Sequence, residues 1–396
     1  MKILTIFDLN LGLGMAHDTF LFKMCHALAS RGHKVHFLVG SGDALRDPWL
    51  YYGVRHDDRL HIHRIPRVHR LRVPLIGLRV SLTRVFNFFC GRTARKIYSA
   101  GGLDVVYLSG LKPAELFLTL RKKVPVPYLY EVHQIYTLDY PGLDLFNLEM
   151  RVLGNAEKII ATTEALKNKL IEVFGISPDR ISVVHLAADA CDEDSGSADS
   201  QGVFTTHNLC YVGQLYRLQG VENAIESLRS LPGHIRLHII GGTPKHIAVL
   251  SSHAKKLELE ERVVFHGFVP PGEVRKQVRD LSPILLMPSL AEERMDYVAH
   301  TKLYEYLSYG LPVVASDLSS VREADPEGEA IFFVEPGSPA ALAAGVRRLL
   351  GDPRASAGRC AAAKTLSLNY TWGRRSDLFA GFAKAVAEDT VERRKK

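Results

Sequence analysis

The segment from residue 300 to residue 316, HTKLYEYLSYGLPVVAS, carries a lysine and a glutamate on a predicted short helix that is followed by a buried strand. Backbone amides at His300, Thr301 and Lys302 should be free at the beginning of this helix. The helix dipole and the Lys302 charge add to them, which favours an anion such as phosphate. Glu305 lies on the same helical face, where it can accept hydrogen bonds from sugar hydroxyls such as those of a ribose. An ordinary surface helix with one ion pair explains the same residue types equally well.

Alternating strand and helix patterns in the first half of the chain predict the sheet that supports such a site. The chain opens with a buried strand at 2–7, a glycine-bearing loop LNLGLG and a helix, and a second apolar strand follows at 35–39. Further strands are predicted at 104–108, 127–132, 158–162 and 181–185. This order is typical of a parallel doubly wound sheet, which binds ligands at the carboxyl ends of its strands.

The same pattern restarts after an acidic, Ser- and Gly-rich segment at residues 189–206, whose composition is that of a linker. Apolar strands are predicted within LCYVG, IRLHIIGG, RVVFHGF, PILLMPS and PVVAS. We therefore predict an α/β protein with two Rossmann-like domains, at 1–188 and 207–369, that face each other across a cleft. A C-terminal segment at 370–396 should contribute a helix that packs back on the first domain.

Length and composition fit this organisation, because 396 residues with 46% hydrophobic content can bury two cores. A formal net charge of +7 favours anionic ligands or lipids without requiring nucleic acid. The five cysteines show no Cys-x-x-Cys spacing, and the first apolar run is too short for a signal peptide. We expect a cytoplasmic protein without a membrane-spanning segment or a metal site.

The segment at 300–316 resembles the nucleotide-sugar-binding helix of glycosyltransferase family 4 and its relatives with the GT-B fold. Other stretches match that family in the same order along most of the chain. They are the N-terminal glycine loop with the helix that ends in RGHKV at 31–35, EVH at 131–133, ATTEALKNKL at 161–170, YVGQLYRLQGVENAIES at 211–227, IIGG at 239–242 and FHGFVPPGEV at 265–274. Ordered matches of this kind are far more specific than a single glycine motif.

The resemblance implies a role for each matching residue. His133 corresponds to the family histidine beside the transferred sugar, and Glu305 to the ligand of the donor ribose; these two form the implied catalytic set. Phe268 and Val269 correspond to the main-chain contact with the nucleotide base. The implied donor-binding set is Gly12, Gly14, Gly213, Arg217, Gln219, Gly242, Phe268, Val269, His300, Thr301, Lys302 and Glu305. The alternatives are a solvated strand-end histidine at position 133 and a plain turn at 268–269.

Some positions depart from the family pattern. Tyr297 stands where the family often has an acidic residue, eight positions before the ribose glutamate. Gln214 and Gln219 occupy the positions where the family usually places an arginine and a lysine against the diphosphate. Arg217 lies between them and is a candidate to supply the missing charge, because a guanidinium binds phosphate through two hydrogen bonds.

The implied activity is transfer of a hexose-type sugar from a nucleotide-diphosphate donor to a glycan or lipid-linked acceptor, with retention of configuration. A helix N-terminus with Lys302 and Arg217 could stabilise the leaving group electrostatically, so we expect no metal and no cofactor. Two alternatives stay open. One is a GT-B protein of other chemistry, such as an epimerase or an inverting transferase, and the other is a donor-binding scaffold without turnover.

The largest charge imbalance lies between residues 59 and 103, where ten Lys or Arg residues occur without any Asp or Glu. Arg79, Arg84 and Arg92 are interleaved with apolar residues at helical spacing, which predicts a basic amphipathic helix that can lie on an anionic membrane. A solvated basic face over a core helix is the equal alternative. A nucleic-acid partner is not expected, because no recognition module is visible in the sequence.

Overall fold

The computed structural model describes residues 1–41, 47–66, 82–191 and 204–395. Contacts divide these residues into two compact units. Unit 1 comprises Met1–Thr162, Leu166–Val184 and Arg375–Lys396, and unit 2 comprises Thr163–Ala165 and His185–Arg374. Most of the predicted linker at 189–206 lies outside the described residues, so its role stays a prediction.

Seven parallel strands form the sheet of unit 1, in the spatial order β3-β2-β1-β4-β5-β6-β7. The strands are β1 (Lys2–Phe7), β2 (Lys34–Ser41), β3 (Leu60–Pro66), β4 (Val105–Ser109), β5 (Tyr128–Val132), β6 (Lys158–Ala161) and β7 (Ile181–Val183). Strands β4 and β5 are buried along their whole length, and β1 is buried at all but its first residue, because helices cover both faces of a parallel sheet.

Six parallel strands form the sheet of unit 2, in the order β10-β9-β8-β11-β12-β13. The strands are β8 (Asn208–Val212), β9 (Arg236–Ile240), β10 (Val263–Gly267), β11 (Ile284–Met287), β12 (Val313–Ser316) and β13 (Ile331–Val334). The predicted fold class, two Rossmann-like parallel-sheet units, is therefore confirmed. The carboxyl ends of β8, β9 and β10 are neighbours at one edge of this sheet, so the residues that follow them are brought together.

Helices connect the strands of both units. They are α1 (Ala16–Ser30), α2 (Pro48–Tyr52), α3 (Leu82–Gly101), α4 (Leu111–Leu120), α5 (Tyr136–Asp139), α6 (Phe146–Asn155), α7 (Glu164–Phe174), α8 (Val221–Ser227), α9 (Pro244–Lys256), α10 (Pro271–Leu281), α11 (Glu293–Tyr297), α12 (Thr301–Tyr309), α13 (Ser319–Arg322), α14 (Pro339–Gly351), α15 (Pro353–Ser367) and α16 (Trp372–Lys395). Across the described ranges, none of these helices is both long and apolar enough to span a bilayer.

The C-terminal helix α16 packs against unit 1 from Arg375 onward, as the sequence predicted. Phe379 is fully buried, with its ring centroid 4.6 Å from that of Tyr107 on β4. Asp377 forms an ion pair with Arg31 just beyond α1, at 3.1 Å. The last helix of the chain thus completes the core of the first unit.

Two strands escaped the sequence analysis. Edge strand β3 carries His61 and His63, and only two of its seven residues are buried. Strand β13 is an apolar run of four residues at the other sheet's edge. A short or half-polar edge strand carries little periodicity of its own, and pairing with a neighbour decides its conformation.

Candidate functional site

Lys302 is the centre of a polar cluster in unit 2. Its ammonium group donates a hydrogen bond to the Tyr211 hydroxyl at 2.7 Å and another to the side-chain oxygen of Gln219. The same nitrogen lies 4.2 Å from the centroid of the Tyr211 ring, a cation–π distance. Tyr211 in turn donates to the backbone oxygen of Gln214 at 2.6 Å. The lysine is therefore directed at the loop after β8, where the resemblance expects phosphate contacts.

The environment of Lys302 makes its charge adjustable near neutral pH. Burial lowers the pKa of its ammonium group to about 7, although nearby Glu305 acts in the opposite direction. An anion bound at this nitrogen would restore the charged form, since an opposite charge favours the ammonium. Gln219 stands where the family usually has a lysine, so Lys302 brings a positive charge to that position from another element.

Glycines allow close approach of the backbone at the ends of β8 and β9. Gly213, Gly241 and Gly242 all have positive φ, of 138°, 113° and 81°. A Cβ atom on Gly241 would lie 2.3 Å from the Gly213 carbonyl oxygen, and one on Gly242 would lie 2.3 Å from the Leu215 side chain. Larger residues therefore do not fit these positions without displacing the loops.

The remaining predicted donor residues of unit 2 occupy the same carboxyl edge. Helix α12 begins at Thr301, which is half-buried, and Glu305 is half-buried one turn later. The His300 ring is buried and its Nε2 lies 3.0 Å from the Met295 carbonyl oxygen, and burial lowers its pKa to about 4. Phe268 is exposed directly after β10, and the next residue, Val269, is half-buried. His300 is thus neutral at physiological pH, which leaves Lys302 as the cation of this helix start.

Arg217, the other candidate cation, is already paired. Its guanidinium donates to the Glu292 carboxylate at 2.8 Å, and 70% of the Arg217 side chain is exposed. The neighbouring Asp296 accepts hydrogen bonds from the Ser319 amide and hydroxyl. Tyr297 is buried, and its carbonyl oxygen accepts from the Thr163 hydroxyl at 2.6 Å. A phosphate group that binds Arg217 would therefore compete with the Glu292 carboxylate for the guanidinium charge.

A second polar cluster lies in unit 1 around His133, directly after β5. Its Nε2 lies 2.8 Å from Oε1 of Glu131, a carboxylate with no exposed surface. The same carboxylate accepts from Arg375 of α16 at 2.7 Å and from the Tyr107 hydroxyl at 2.8 Å. Burial alone would raise the pKa of Glu131, but Arg375, His133 and Tyr107 outweigh it and lower the pKa to about 2. Glu131 is therefore an anion.

His17, in the first turn of α1, adds a second histidine to this cluster. Its ring centroid lies 5.6 Å from that of His133, and its Nε2 lies 3.0 Å from the hydroxyl of Ser109 at the end of β4. Burial and the neighbouring His133 lower the pKa of His17 to about 3. A neutral imidazole and a hydroxyl thus accompany His133 at the carboxyl edge of the unit 1 sheet.

The N-terminal glycine loop is anchored by a buried carboxylate. Gly12 and Gly14 have positive φ, of 79° and 68°. The Gly12 amide donates to the Tyr52 hydroxyl at 2.9 Å, and the Leu13 amide donates to Asp18 at 2.8 Å. Asp18 is fully buried in the first turn of α1. The loop is held in a left-handed conformation that glycine adopts at low cost.

The basic segment is helical where the structure describes it, and Arg79 lies outside the described residues. On α3, Arg84, Phe88, Arg92 and Lys96 recur every four residues and are all exposed. Phe88 has 61% of its surface exposed. Arginine, phenylalanine, arginine and lysine thus form one solvent-facing stripe, which we call the α3 stripe.

Sequence reasoning missed several of these residues. Glu131 had a local signal, because residues two apart on a strand point to the same face and Glu131 precedes His133 in EVH. Tyr211 and His17 lie inside stretches that matched the family but drew no attention. Arg375 had no local signal, since it is 244 residues from Glu131.

Comparison with protein families divides the chain as its two sheets do. A family described as Glycosyltransferase Family 4 matches residues 18–190, and one described as Glycosyl transferases group 1 matches residues 206–352. Among curated relatives, the D-inositol 3-phosphate glycosyltransferase of Acidothermus cellulolyticus is 25% identical over 74% of this chain and 70% of its own length. The corresponding protein of Mycobacterium marinum is also 25% identical, over 76% of this chain and 68% of its own length.

Solved structures share the fold at lower sequence identity. HepE of Anabaena in complex with UDP-glucose has a TM-score of 0.74 at 16% identity, and the match covers 97% of this chain and all of that one. Sucrose-phosphate synthase of Thermosynechococcus elongatus has a TM-score of 0.75 at 17% identity, covering 97% of this chain and 98% of that one. Both sheets and the family matches therefore define a glycosyltransferase of the GT-B fold. The chain belongs to the family 4-like glycosyltransferases.

Proposed function

We propose that this protein transfers a hexose-type sugar from a nucleotide-diphosphate donor to a glycan or lipid-linked acceptor. The observation that supports this most directly is the position of Lys302, whose nitrogen contacts Tyr211 and Gln219 beside the glycine loop after β8. A cation, a helix N-terminus and a left-handed glycine loop at one sheet edge suit a linked pair of phosphates. The UDP-glucose complex of the fold relative HepE agrees with this class of donor.

In the proposed reaction, the bond between the anomeric carbon and the β-phosphate oxygen breaks, and an acceptor oxygen bonds to the anomeric carbon. The departing diphosphate gains negative charge, which Lys302 and the amides at the beginning of α12 would stabilise electrostatically. Glu305 would bind the ribose through its carboxylate. The proposal requires no metal or cofactor, because protein groups supply the positive charge.

The proposed stereochemical outcome is retention, as the family resemblance implies. The proton of the acceptor hydroxyl would pass to the departing phosphate, with His133 positioning the sugar. Proton magnetic resonance of the first-formed product identifies the anomer and thereby tests retention. An inverted product would favour the alternative of an inverting transferase.

For the acceptor side, we propose peripheral contact with an anionic membrane at the cytoplasmic face. The α3 stripe supports this, because it combines exposed cations with an exposed phenylalanine. A lipid-linked or phosphate-bearing acceptor would meet the same charge.

A panel of nucleotide sugars, measured by thermal stabilisation of the protein, tests the donor assignment. A ligand at one hundred times its Kd should stabilise the folded state by about 2.7 kcal/mol. Lys302→Met should reduce this stabilisation, whereas Lys255→Met on α9, whose side chain is exposed, should not. If every nucleotide sugar leaves the wild-type unfolding temperature unchanged at millimolar concentration, the donor assignment is wrong.

A transfer assay with the stabilising donor separates enzyme from scaffold. Release of the nucleoside diphosphate in the presence of candidate acceptors is the expected result. Donor binding without transfer to any tested acceptor, and without hydrolysis, would support the binding-protein alternative, which the glutamines at positions 214 and 219 motivate.

A further inference from the structure

His133 lies against a carboxylate that solvent does not reach. The strand β5 carries Glu131 with no exposed surface, and the side chain contacts His133, Arg375 and Tyr107 at 2.7 to 2.8 Å. A buried anion of this kind is costly unless it is fully paired. Arg375 and Tyr107 donate hydrogen bonds to it, and His133 lies within hydrogen-bond distance.

Arg375 reaches this carboxylate from the opposite end of the chain. Its side chain is 2% exposed, and its guanidinium carbon lies 5.0 Å from the centroid of Phe20 on α1. The Phe20 ring also lies 4.6 Å from that of His133. Helices α1 and α16 therefore enclose the Glu131 carboxylate and the His133 ring from two directions.

The contact leaves the two ring nitrogens of His133 in different surroundings. Nε2 is buried and lies 2.8 Å from Oε1 of Glu131, although its N–H bond is not aligned with that oxygen in this structure. Among the described residues, none forms a hydrogen bond with Nδ1 of His133. A carboxylate accepts hydrogen bonds and cannot donate them when ionised, so the proton belongs on Nε2.

We propose that Glu131, held in place by Arg375 of the C-terminal helix, is a positioning residue that keeps His133 in the Nε2–H form and leaves Nδ1 as its open acceptor. The effect of this positioning on catalysis rests on the proposed role of His133 in sugar transfer. The positioning itself can be measured without any substrate. Hydrogen-bond partners set the tautomer of functional histidines in the same way elsewhere.

Nitrogen magnetic resonance of the whole chain, labelled with ¹⁵N-histidine, tests the wild-type state at pH 7.5. The His133 ring signals are identified by their loss in His133→Asn. The expected spectrum shows the proton on Nε2 and a lone pair on Nδ1. A proton on Nδ1 would overturn the proposal, whatever any variant does.

A double variant, Glu131→Leu with Arg375→Met, removes both buried charges together. This avoids leaving either charge buried and unpaired, which would strongly destabilise the unit. We expect the double variant to fold and to show His133 as a mixture of both tautomers. A folded double variant with the wild-type His133 signals would overturn the proposal. If the double variant does not fold, the wild-type spectrum alone tests the proposal.

Glu157→Gln is the matched control, because Glu157 also pairs with an arginine, Arg121, and accepts the amide of Tyr128 at the other end of β5. Its His133 signals should equal those of the wild type. A changed His133 spectrum in this control would show that the signals report general disturbance of the strand, and would count against the proposal.

Steady-state kinetics connect the positioning to turnover. With a donor that the wild type uses, the double variant should lower kcat by at least about tenfold and leave the donor KM nearly unchanged. Wild-type kcat in a folded double variant would overturn the catalytic consequence. A wild type that transfers no sugar would refute the proposed function instead, and the resonance experiment would still decide the positioning.

Discussion

At the scale of single residues, Lys302 links donor binding to pH. Burial lowers its pKa to about 7, so the free protein above that pH holds mostly the neutral amine. A bound diphosphate favours the ammonium, and binding must then take up a proton. Between pH 7 and pH 9 we expect the affinity for a nucleoside diphosphate to fall with rising pH, by up to about tenfold per unit. Calorimetry in two buffers of different ionisation enthalpy measures both the affinity and the proton uptake.

Lys302→Met provides the comparison. The variant should bind more weakly at pH 7 and should lose the dependence on pH, whereas Lys255→Met should keep both properties of the wild type. Wild-type binding that does not change between pH 7 and pH 9 would remove Lys302 from the diphosphate site.

Glu305 makes a separate prediction, because a carboxylate that binds ribose contributes hydrogen bonds and not phosphate affinity. Glu305→Ala should reduce donor binding or turnover by at least about tenfold, the effect of losing one strong hydrogen bond to a charged group. It should change the affinity for inorganic pyrophosphate much less, since Glu305 acts there only through the charge of Lys302. Glu327→Ala, at an exposed position of the same unit, is the control. Near-normal kinetics in Glu305→Ala would refute the assigned role.

At the scale of structural elements, the loop after β9 depends on a glycine. Gly241 has a φ of 113°, and a Cβ atom there would lie 2.3 Å from the Gly213 carbonyl oxygen. Gly241→Ala should lower the free energy of unfolding by about 1–3 kcal/mol, since both strain and collision arise. Donor binding should weaken as well, because the loop after β8 is displaced. Denaturant unfolding and calorimetry measure the two effects.

Gly233→Ala is the matched substitution in the same unit, because a Cβ atom at Gly233 meets nothing within 4 Å and the residue has no positive φ. It should be neutral or slightly stabilising. If Gly241→Ala is as stable as Gly233→Ala, the close approach of the two loops is not rigid in solution.

Helix α3 makes a prediction about surfaces. Arg84→Glu with Arg92→Glu should release the protein from vesicles that contain anionic lipid, because the two substitutions reverse charge on the α3 stripe. Phe88→Ser should weaken binding without changing charge. Arg348→Glu, at an exposed position of α14 in the other unit, should have no effect. Cosedimentation at two salt concentrations is the measurement, and retention of the Arg84 and Arg92 variant would leave only the solvated-face alternative.

At the scale of the whole molecule, both units contain histidines that are neutral in the folded protein at pH 7. His36 in unit 1 and His238 in unit 2 each have a pKa of about 4. Burial lowers both values, and neighbouring histidines and cations lower them further. Each is close to a second histidine, at 3.0 Å between ring nitrogens. In the unfolded chain these histidines take up a proton near pH 6.5, whereas in the folded protein they do so only near pH 4. Their contribution to the free energy of unfolding is therefore present above pH 6.5 and should be lost as the pH falls towards 4.

Urea unfolding at several pH values between 7.5 and 4.5 checks this expectation. His238→Gln should make the free energy of unfolding less dependent on pH, whereas His234→Gln, at an exposed position, should not. An unfolding midpoint that stays constant over this range would show that the buried histidines do not control acid stability.

Much of this architecture was predictable because its signals are local. Apolar runs and glycine turns marked most strands, and a lysine three residues before a glutamate marked the helix now seen as α12. Strand β3 was missed because its histidines hide the apolar alternation. Arg217 was proposed as a phosphate ligand from its sequence position, and the structure adds that Glu292 already pairs with it.

The amino-acid sequence by itself determined the two parallel sheets, the glycosyltransferase family and the segment that carries Lys302 and Glu305, because periodicity and ordered motifs are written in neighbouring residues. Only the tertiary structure decided the partners of each charge. Lys302 meets Tyr211 from 91 residues away, and Arg375 meets Glu131 from 244 residues away. Pairings over such separations follow from how strands and helices pack, and the electrostatics of both clusters depend on that packing.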